Sequence, residues 1–553
     1  MNSARHFLLT CLFCAFTFTT ARAGSATWAF TPASGDWNTA ANWLPATVPN
    51  DPADVATFDV TRVAHLSLSA SVQVDSLVFN PGATGYTIIL GTSPTSITLT
   101  IGGAGIVNNS GIVQNFVVNS LPSNQINFTG PARAGVMTVF TNVAGGNLGL
   151  ATSEQFFDQS SADHATFISD GNSAQMNSLT PGVLFLDDST ADHAVLIINP
   201  GRTLSAQTIF GGNSTAGNAT VTANGGTLSH KFGGRATITG TATGGDATIT
   251  ATGSDVAGGT GGFINCMDLS TLGNATVILQ GGAVAGGILQ LATQSPAGFA
   301  RIEVFGNGIL EVFQGMPMMT IGSLEGDGNV ELEGATLTIG GNSLSTTFSG
   351  VIVDVDGGPA GAISKVSSTS LELSGANTYS GGTTVAGGTL IASNTTGSAT
   401  GTGAVTVTAG TLGGAGTISG AVTVGRGSGG GAILAPAHGA KQQATLKILS
   451  AVTFDSDSTY ICTFKARSNQ ARTDSITANG VAIGAGASFN FVGQAQGTLR
   501  AGLVFKVISN TSANPISGTF ANLPDGAILN VNGNSLKANY EGGDGNDLTL
   551  TVQ

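Results

Sequence analysis

Three groups of residues in this chain have the types and spacing to do chemistry. The first is a repeated acid–imidazole pair, Asp163-His164 and Asp192-His193, preceded by Asp158 and by Asp187-Asp188. Imidazole beside carboxylate can hold a metal or serve general acid–base catalysis. The second is Trp28, Trp37 and Trp43, all the tryptophans of the chain. Their indole faces could stack on sugar rings, which makes them the candidate ligand-binding residues. The third is Gly542-Gly-Asp544-Gly-Asn-Asp547-Leu-Thr-Leu550, which fits the calcium nonapeptide G-G-x-G-x-D-x-U-x and makes Asp544 and Asp547 candidate Ca2+ ligands.

Each group has a structural competitor. Ser161-Ala-Asp-His-Ala165-Thr-Phe is echoed by Thr190-Ala-Asp-His-Ala194-Val-Leu, then by Thr215-Ala-Gly-Asn-Ala219, Thr243-Gly-Gly-Asp-Ala247, Thr271-Leu-Gly-Asn-Ala275 and Pro296-Ala-Gly-Phe-Ala300. The alanines step by 29, 25, 28, 28 and 25 residues. The two slots holding Asp-His thus hold Gly-Asn and Gly-Asp in later copies. Those residue types tolerate left-handed or bridge backbone geometry, so the slots select for a turn before a ligand. The tryptophans sit in a Pro-rich segment at one end of a repetitive chain, where bulky side chains would cap an open end. The calcium pattern occurs once, whereas such sites are built between consecutive repeats and take about six to eight oxygens. A Gly-rich turn before the closing strand is the favoured account, and the fold needs no cofactor.

The elements that position these residues are short. In Leu371–Gly425 the runs Leu371-Glu-Leu373, Thr383-Thr-Val385, Thr389-Leu-Ile391, Val405-Thr-Val407 and Val422-Thr-Val424 are separated by Gly-rich corners. Earlier, Val72–Phe79 and Ile97–Ile101 alternate apolar and polar residues with period two. Short strands at fixed spacing with glycine corners predict a β-solenoid, in which each coil buries its face on the next. At about 27 residues per coil and about 4.8 Å per coil, some 20 coils would make a rod of order 95 Å.

Composition narrows the function classes. Of 553 residues, 82 are Gly and only 9% are charged, with a net charge of −13 and no block of like charge. Nucleic-acid binding needs clustered Lys and Arg and is not expected. A polysaccharide-active β-helix enzyme would need acidic, Lys or Arg residues gathered on one strand face, and no such cluster is legible. Residues 1–23 read as a secretory signal, with an apolar Phe7–Thr20 and an Ala21-Arg-Ala23 cleavage site. That segment is too short for a stable span, so no membrane span is expected in the mature chain. Cys11 and Cys14 fall within it. Cys266 and Cys462 are too far apart to suggest a disulfide framework and read as small buried side chains.

The expected organisation is a signal peptide (1–23), a Trp-rich N-terminal cap (24–60), a solenoid (61–431) containing the array 150–305, and last coils with a C-terminal β cap (432–553). Gly427–Gly431 reads as a flexible joint. Met316-Pro-Met-Met319 reads as core filler.

Leu373-Ser-Gly-Ala-Asn-Thr-Tyr379-Ser-Gly-Gly-Thr383, Gly387-Gly-Thr-Leu390 and Gly410-Thr-Leu-Gly-Gly414 resemble the autotransporter-associated β-strand repeat of bacterial surface and secreted proteins. The resemblance covers about a tenth of the chain directly. It implies an all-β, right-handed parallel β-helix with N- and C-terminal caps, extracellular and without enzymatic residues of its own. The implied role is a structural or adhesin-like passenger meeting cell-surface or matrix glycans or proteins. Complete autotransporters carry a C-terminal membrane barrel. None follows residue 553, so secretion by other machinery, a periplasmic location or non-covalent adherence to the surface is the expectation.

Overall fold

In the computed structural model, residues 24–91, 95–119, 123–143, 153–171, 182–292, 297–313, 319–438 and 443–553 are described. The signal-peptide reading of 1–23 lies outside them. Over the described residues the chain winds into a parallel β-solenoid of about 17 turns, with almost no helix. At about 4.8 Å per turn this is a rod of roughly 80 Å. It is shorter than the repeat spacing alone suggests, because both ends use residues in antiparallel pairs that add no coil.

The winding follows from period-two strands. Strand Thr166–Ser169 and strand Gln207–Phe210 each bury alternate residues. Corners then turn the chain so that the next strand lies one coil higher. Among the described residues, one 15-stranded sheet runs from Trp43–Leu44, through Ala26–Trp28, to Val351–Asp354. A second begins at His65–Ser67, which pairs with Thr87–Leu90, and climbs strand by strand to Ser458–Arg467 and Ser488–Gln496. Its two end strands do not pair with each other, so it is an open ladder and not a closed barrel. A third sheet of eight strands, Met319–Ile321 to Val481–Ile483, adds a side to the upper coils.

Register follows the alanine steps. Thr166 pairs with Val195, Val195 with Thr220, Thr220 with Thr248, Thr248 with Thr276 and Thr276 with Arg301, each residue following a repeat alanine. Ala165, Ala194, Ala219, Ala247, Ala275 and Ala300 are all fully buried. Identical side chains therefore stack. Phe128, Phe156, Phe185 and Phe210 form one column with ring centroids 4.7–4.8 Å apart. Phe116, Phe140 and Phe167 form a second column at 4.7 Å. The columns meet edge to face across the core, as at Phe128–Phe140, 5.9 Å and 80°. Both arrangements are favourable for aromatic rings.

Both ends depart from the parallel pattern. At the start, Trp43–Leu44 runs antiparallel to Ala26–Trp28. At the end, Ile528–Val531, Asn534–Gly542 and Asp547–Val552 form an antiparallel set that joins Val504–Asn510. Parallel pairing continues on both sides of Gly427–Gly431, from Thr411↔Ile433 to Thr423↔Thr453. Asp457 Oδ1 accepts from the Arg426 and Gly427 amides at 2.9 Å each. The glycine run is thus an exposed turn, held at its start by Asp457, with the parallel ladders continuing past it. Among the described residues, no helix is long and apolar enough to cross a membrane.

Candidate functional site

The tryptophans converge, but inward. Trp28, Trp37 and Trp43 are 1%, 0% and 0% exposed. Trp43 packs edge-on against Trp28 at 5.1 Å and against Trp37 at 4.9 Å. Phe58 lies 5.7 Å from Trp37 and stacks on Phe79 at 4.8 Å, continuing the plug into the first coils. Each indole N–H donates to a backbone carbonyl: Trp28 to Val63, Trp37 to Pro49 and Trp43 to Trp37. With faces buried and donors spent, no ring can stack on a sugar. The platform reading is corrected by the apolar area these rings remove from water.

The candidate calcium ligands separate. Asp544 is exposed at the tip of a hairpin, whereas Asp547 is 1% exposed. Asp547 Oδ1 accepts from the Asn510 amide at 2.9 Å, and Oδ2 lies 2.6 Å from Lys506 Nζ. The position a cation would take is held by an ammonium group. The tail is a β-turn closed by the Gly542↔Asp547 pair, which corrects the metal reading.

The acid–imidazole array stays in phase. Asp163, Asp192, Gly217, Gly245, Gly273 and Gly298 occupy one corner with φ between 52° and 64°. Asp158, Asp187, Gly212, Gly240 and Asp268 occupy the preceding corner with φ between 52° and 68°. Only Gly and a few short polar residues accept this left-handed geometry readily, which is why Asp and Gly interchange. A hydroxyl column braces the turn. Ser161 accepts from the Asp163 amide at 2.9 Å, Thr190 from Asp192 at 3.0 Å and Thr215 from Gly217 at 3.0 Å. The next residues, His164 and His193, project outward and stack with centroids 4.8 Å apart and planes 3° apart.

Sequence reasoning missed three places. On the outer face of the first sheet, Gln207, Arg235, Phe263 and Ile288 lie side by side on successive coils. With Leu204 and Phe232 they line a groove of about 530 Å³. The Arg235 guanidinium sits 4.7 Å over the Phe263 ring. Inside the coil, Glu154 is fully buried between Ile126 and Val183. Its Oε2 accepts from Asn142 Nδ2 at 2.5 Å, and burial pushes its carboxyl up to about 7. Lys365 is 1% exposed between Ile339 and Val385, with Nζ donating to the Val366 carbonyl. Burial lowers its ammonium to about 8. Phase was the available signal for both: aligning Phe156 with Phe185 and Phe210 places Glu154 in a core column. Of the methionine run, Met319 lies within the described residues and is buried.

Stacked in-register coils with aromatic columns inside and turn columns at the corners define a parallel β-solenoid. A family model for the passenger-associated transport repeat matches residues 364–392. The matched segment spans about one and a half coils of the upper solenoid, since Ser370–Leu373 already pairs with Thr389–Ala392 one coil on. It runs from the end of strand Ala362–Lys365 through Ser370–Leu373 and Thr383–Val385 to Thr389–Ala392. No curated protein and no solved structure matches the chain. The repeat and the architecture together fit an autotransporter passenger-like β-helix protein.

Proposed function

We infer that the protein acts as a secreted or cell-surface β-solenoid with a structural or adhesive role and no enzymatic one. The observation that carries this reading is the passenger-associated transport repeat at 364–392, set within one uninterrupted stack of coils. A rigid rod with corners on each coil presents side chains at fixed spacing, which suits repeated weak contacts with a surface or matrix. The test is fractionation of the native host combined with protease shaving of intact cells. Protein in the medium, or cleaved on intact cells, supports the reading. Protein confined to the periplasm overturns it.

The groove favours a second reading, binding of an extended glycan. The exposed ring of Phe232, the Phe263–Arg235 pair and nearby hydroxyls combine an apolar face with donors. Loss of glycan-array binding by a Phe263→Ala, Arg235→Ala variant that still folds would support it. No binding by the native chain would refute it.

A further inference from the structure

The basic side chains of this acidic protein are unevenly placed. From 458 to 524 the sequence carries Lys465, Arg467, Arg472, Arg500 and Lys506 against one acid, Asp474, a local charge of +4 in a chain of −13. Asp474 is fully buried, and its carboxylate accepts from the Ala444 and Thr463 amides. The strands here outrun the coil. Ser458–Arg467 pairs with Ala432–Ala435 only as far as Tyr460. Its far end pairs antiparallel with Gln470–Thr473 and parallel with Ser488–Gln496. Phe464 and Ala466 face inward, with Phe464 stacked on Phe491 at 4.3 Å. The alternate residues face out in two rows of three: Arg472, Lys465 and Gln494, then Gln470, Arg467 and Gln496. All six are exposed, and they line a groove of about 330 Å³. Lys465 and Arg472 are directly opposed across an antiparallel pair, a placement that costs stability for like charges. Among the described residues, neither they nor Arg467 pairs with a carboxylate. The Arg500 amide donates to the Ser468 carbonyl at 2.6 Å, which sets a further cationic residue beside the turn between the two strands.

We propose that this array binds an acidic polysaccharide whose sugar units carry carboxylates. The guanidinium forks of Arg467 and Arg472 match a carboxylate bidentately, and Lys465, next to both, adds a point charge. Each glutamine amide donates and accepts, as ring hydroxyls do, so the rows read sugar as well as charge. Neighbouring positions stand roughly 5 Å apart across strands and roughly 6.6 Å apart along them, so an extended chain meets several at once. No aromatic ring stands in the array, whereas single-stranded nucleic acid is held by stacking its bases on such rings. The face is anchored from below by the Phe464–Phe491 stack, with Phe505 edge-on to Phe464 at 5.5 Å. The cations are thus presented without a loop having to order first. The array lies on other strands than the groove at Arg235 and Phe263. It does not rest on the surface-rod reading, because binding is a property of the purified chain wherever that chain resides.

The experiment titrates the purified chain with a polygalacturonate oligomer by calorimetry at low salt. The fully methyl-esterified oligomer and poly-L-glutamate serve as comparisons. The native chain is expected to bind polygalacturonate, to lose affinity as sodium chloride screens the exposed charges, and not to bind the ester. The ester needs no variant, so it tests the charge requirement on the native fold. Arg467→Gln and Arg472→Gln should each weaken binding about 3–10-fold. The triple variant Lys465→Gln, Arg467→Gln, Arg472→Gln should abolish it. Gln494→Ala with Gln496→Ala should weaken polygalacturonate binding and leave poly-L-glutamate unchanged. Arg235→Ala with Phe263→Ala, in the other groove, should bind as the native chain does. Four results overturn the proposal: no binding by the native chain, poly-L-glutamate bound as tightly, single-stranded DNA or anionic lipid vesicles bound more tightly, or native affinity in a triple variant with native circular dichroism. Loss of binding in the Arg235→Ala, Phe263→Ala variant also overturns it, by moving the site to that groove.

Discussion

Glu154 offers a quantitative test of the core. Its strand, Ser153–Phe156, pairs in parallel with Gln125–Phe128 below and Gly182–Phe185 above, and places the carboxyl where those coils carry Ile126 and Val183. The side chain is fully buried, Asn142 Nδ2 reaches Oε2, and Oε1 has no partner among the described residues. Burial, partly opposed by the Asn142 hydrogen bond, raises the carboxyl from its ordinary 4.5 to about 7. At 1.36 kcal/mol per pKa unit, full ionisation of this group costs the folded state about 3 kcal/mol. The folded chain holds the proton more tightly than the unfolded one. The group therefore costs nothing below pH 4.5, costs progressively more as pH rises to about 7, and levels off above that.

Glu154→Gln keeps an acceptor for Asn142 and removes the charge. Other carboxylates act oppositely: hydrogen bonds from Thr239 and the Gly240 amide hold Asp268 below its usual range. The informative quantity is thus the difference between native and variant chains. That difference should favour the variant increasingly from pH 4.5 to 7.5, by about 3 kcal/mol in total, and then stay flat. Solenoid coils melt locally, so hydrogen exchange at amides of 126–128, 153–156 and 182–185 reads the effect most directly. A gap that does not change with pH, or one that widens toward acid, would refute the reasoning.

Four further outcomes follow from the packing. Trp43→Ala empties the centre of the N-terminal plug and should cost about 3–5 kcal/mol, seen as an earlier thermal transition and loss of the near-ultraviolet tryptophan signal. Gly245→Val forces a branched side chain into φ 59°, with Gly217 O 2.7 Å from the new Cβ, and should cost about 1–3 kcal/mol by urea denaturation. Asp192→Gly at the same corner should leave the urea midpoint nearly unchanged. Lys506→Met leaves the buried Asp547 carboxylate without its cation and should destabilise the C-terminal hairpins by about 1–3 kcal/mol, with no rescue by Ca2+ in a thermal melt.

Much of the fold was legible because a solenoid writes its geometry into sequence period. The alanine steps from Ala165 to Ala300 are the steps of the strand register, since parallel stacking puts equivalent residues directly above one another. Glycine and Asp exchanging at one slot announced a left-handed corner, because backbone sterics admit few other residues there. Local sequence determined strands, corners and pitch.

Only the tertiary structure decided which way side chains face at the ends and what meets across coils. The tryptophans have the same types and spacing whether they form an exposed platform or a buried plug. Packing against Phe58 and the first coils turns them inward. The calcium pattern at 542–550 is equally local, whereas Lys506, which occupies Asp547, comes from a strand brought alongside by antiparallel pairing. The groove at Arg235 and Phe263, and the stacked His164 and His193, exist because coils 25–29 residues apart in sequence lie one strand spacing apart in space. Period can be read along the chain, but the partners across coils are set by how many residues each corner takes, and that is fixed only when the coils stack.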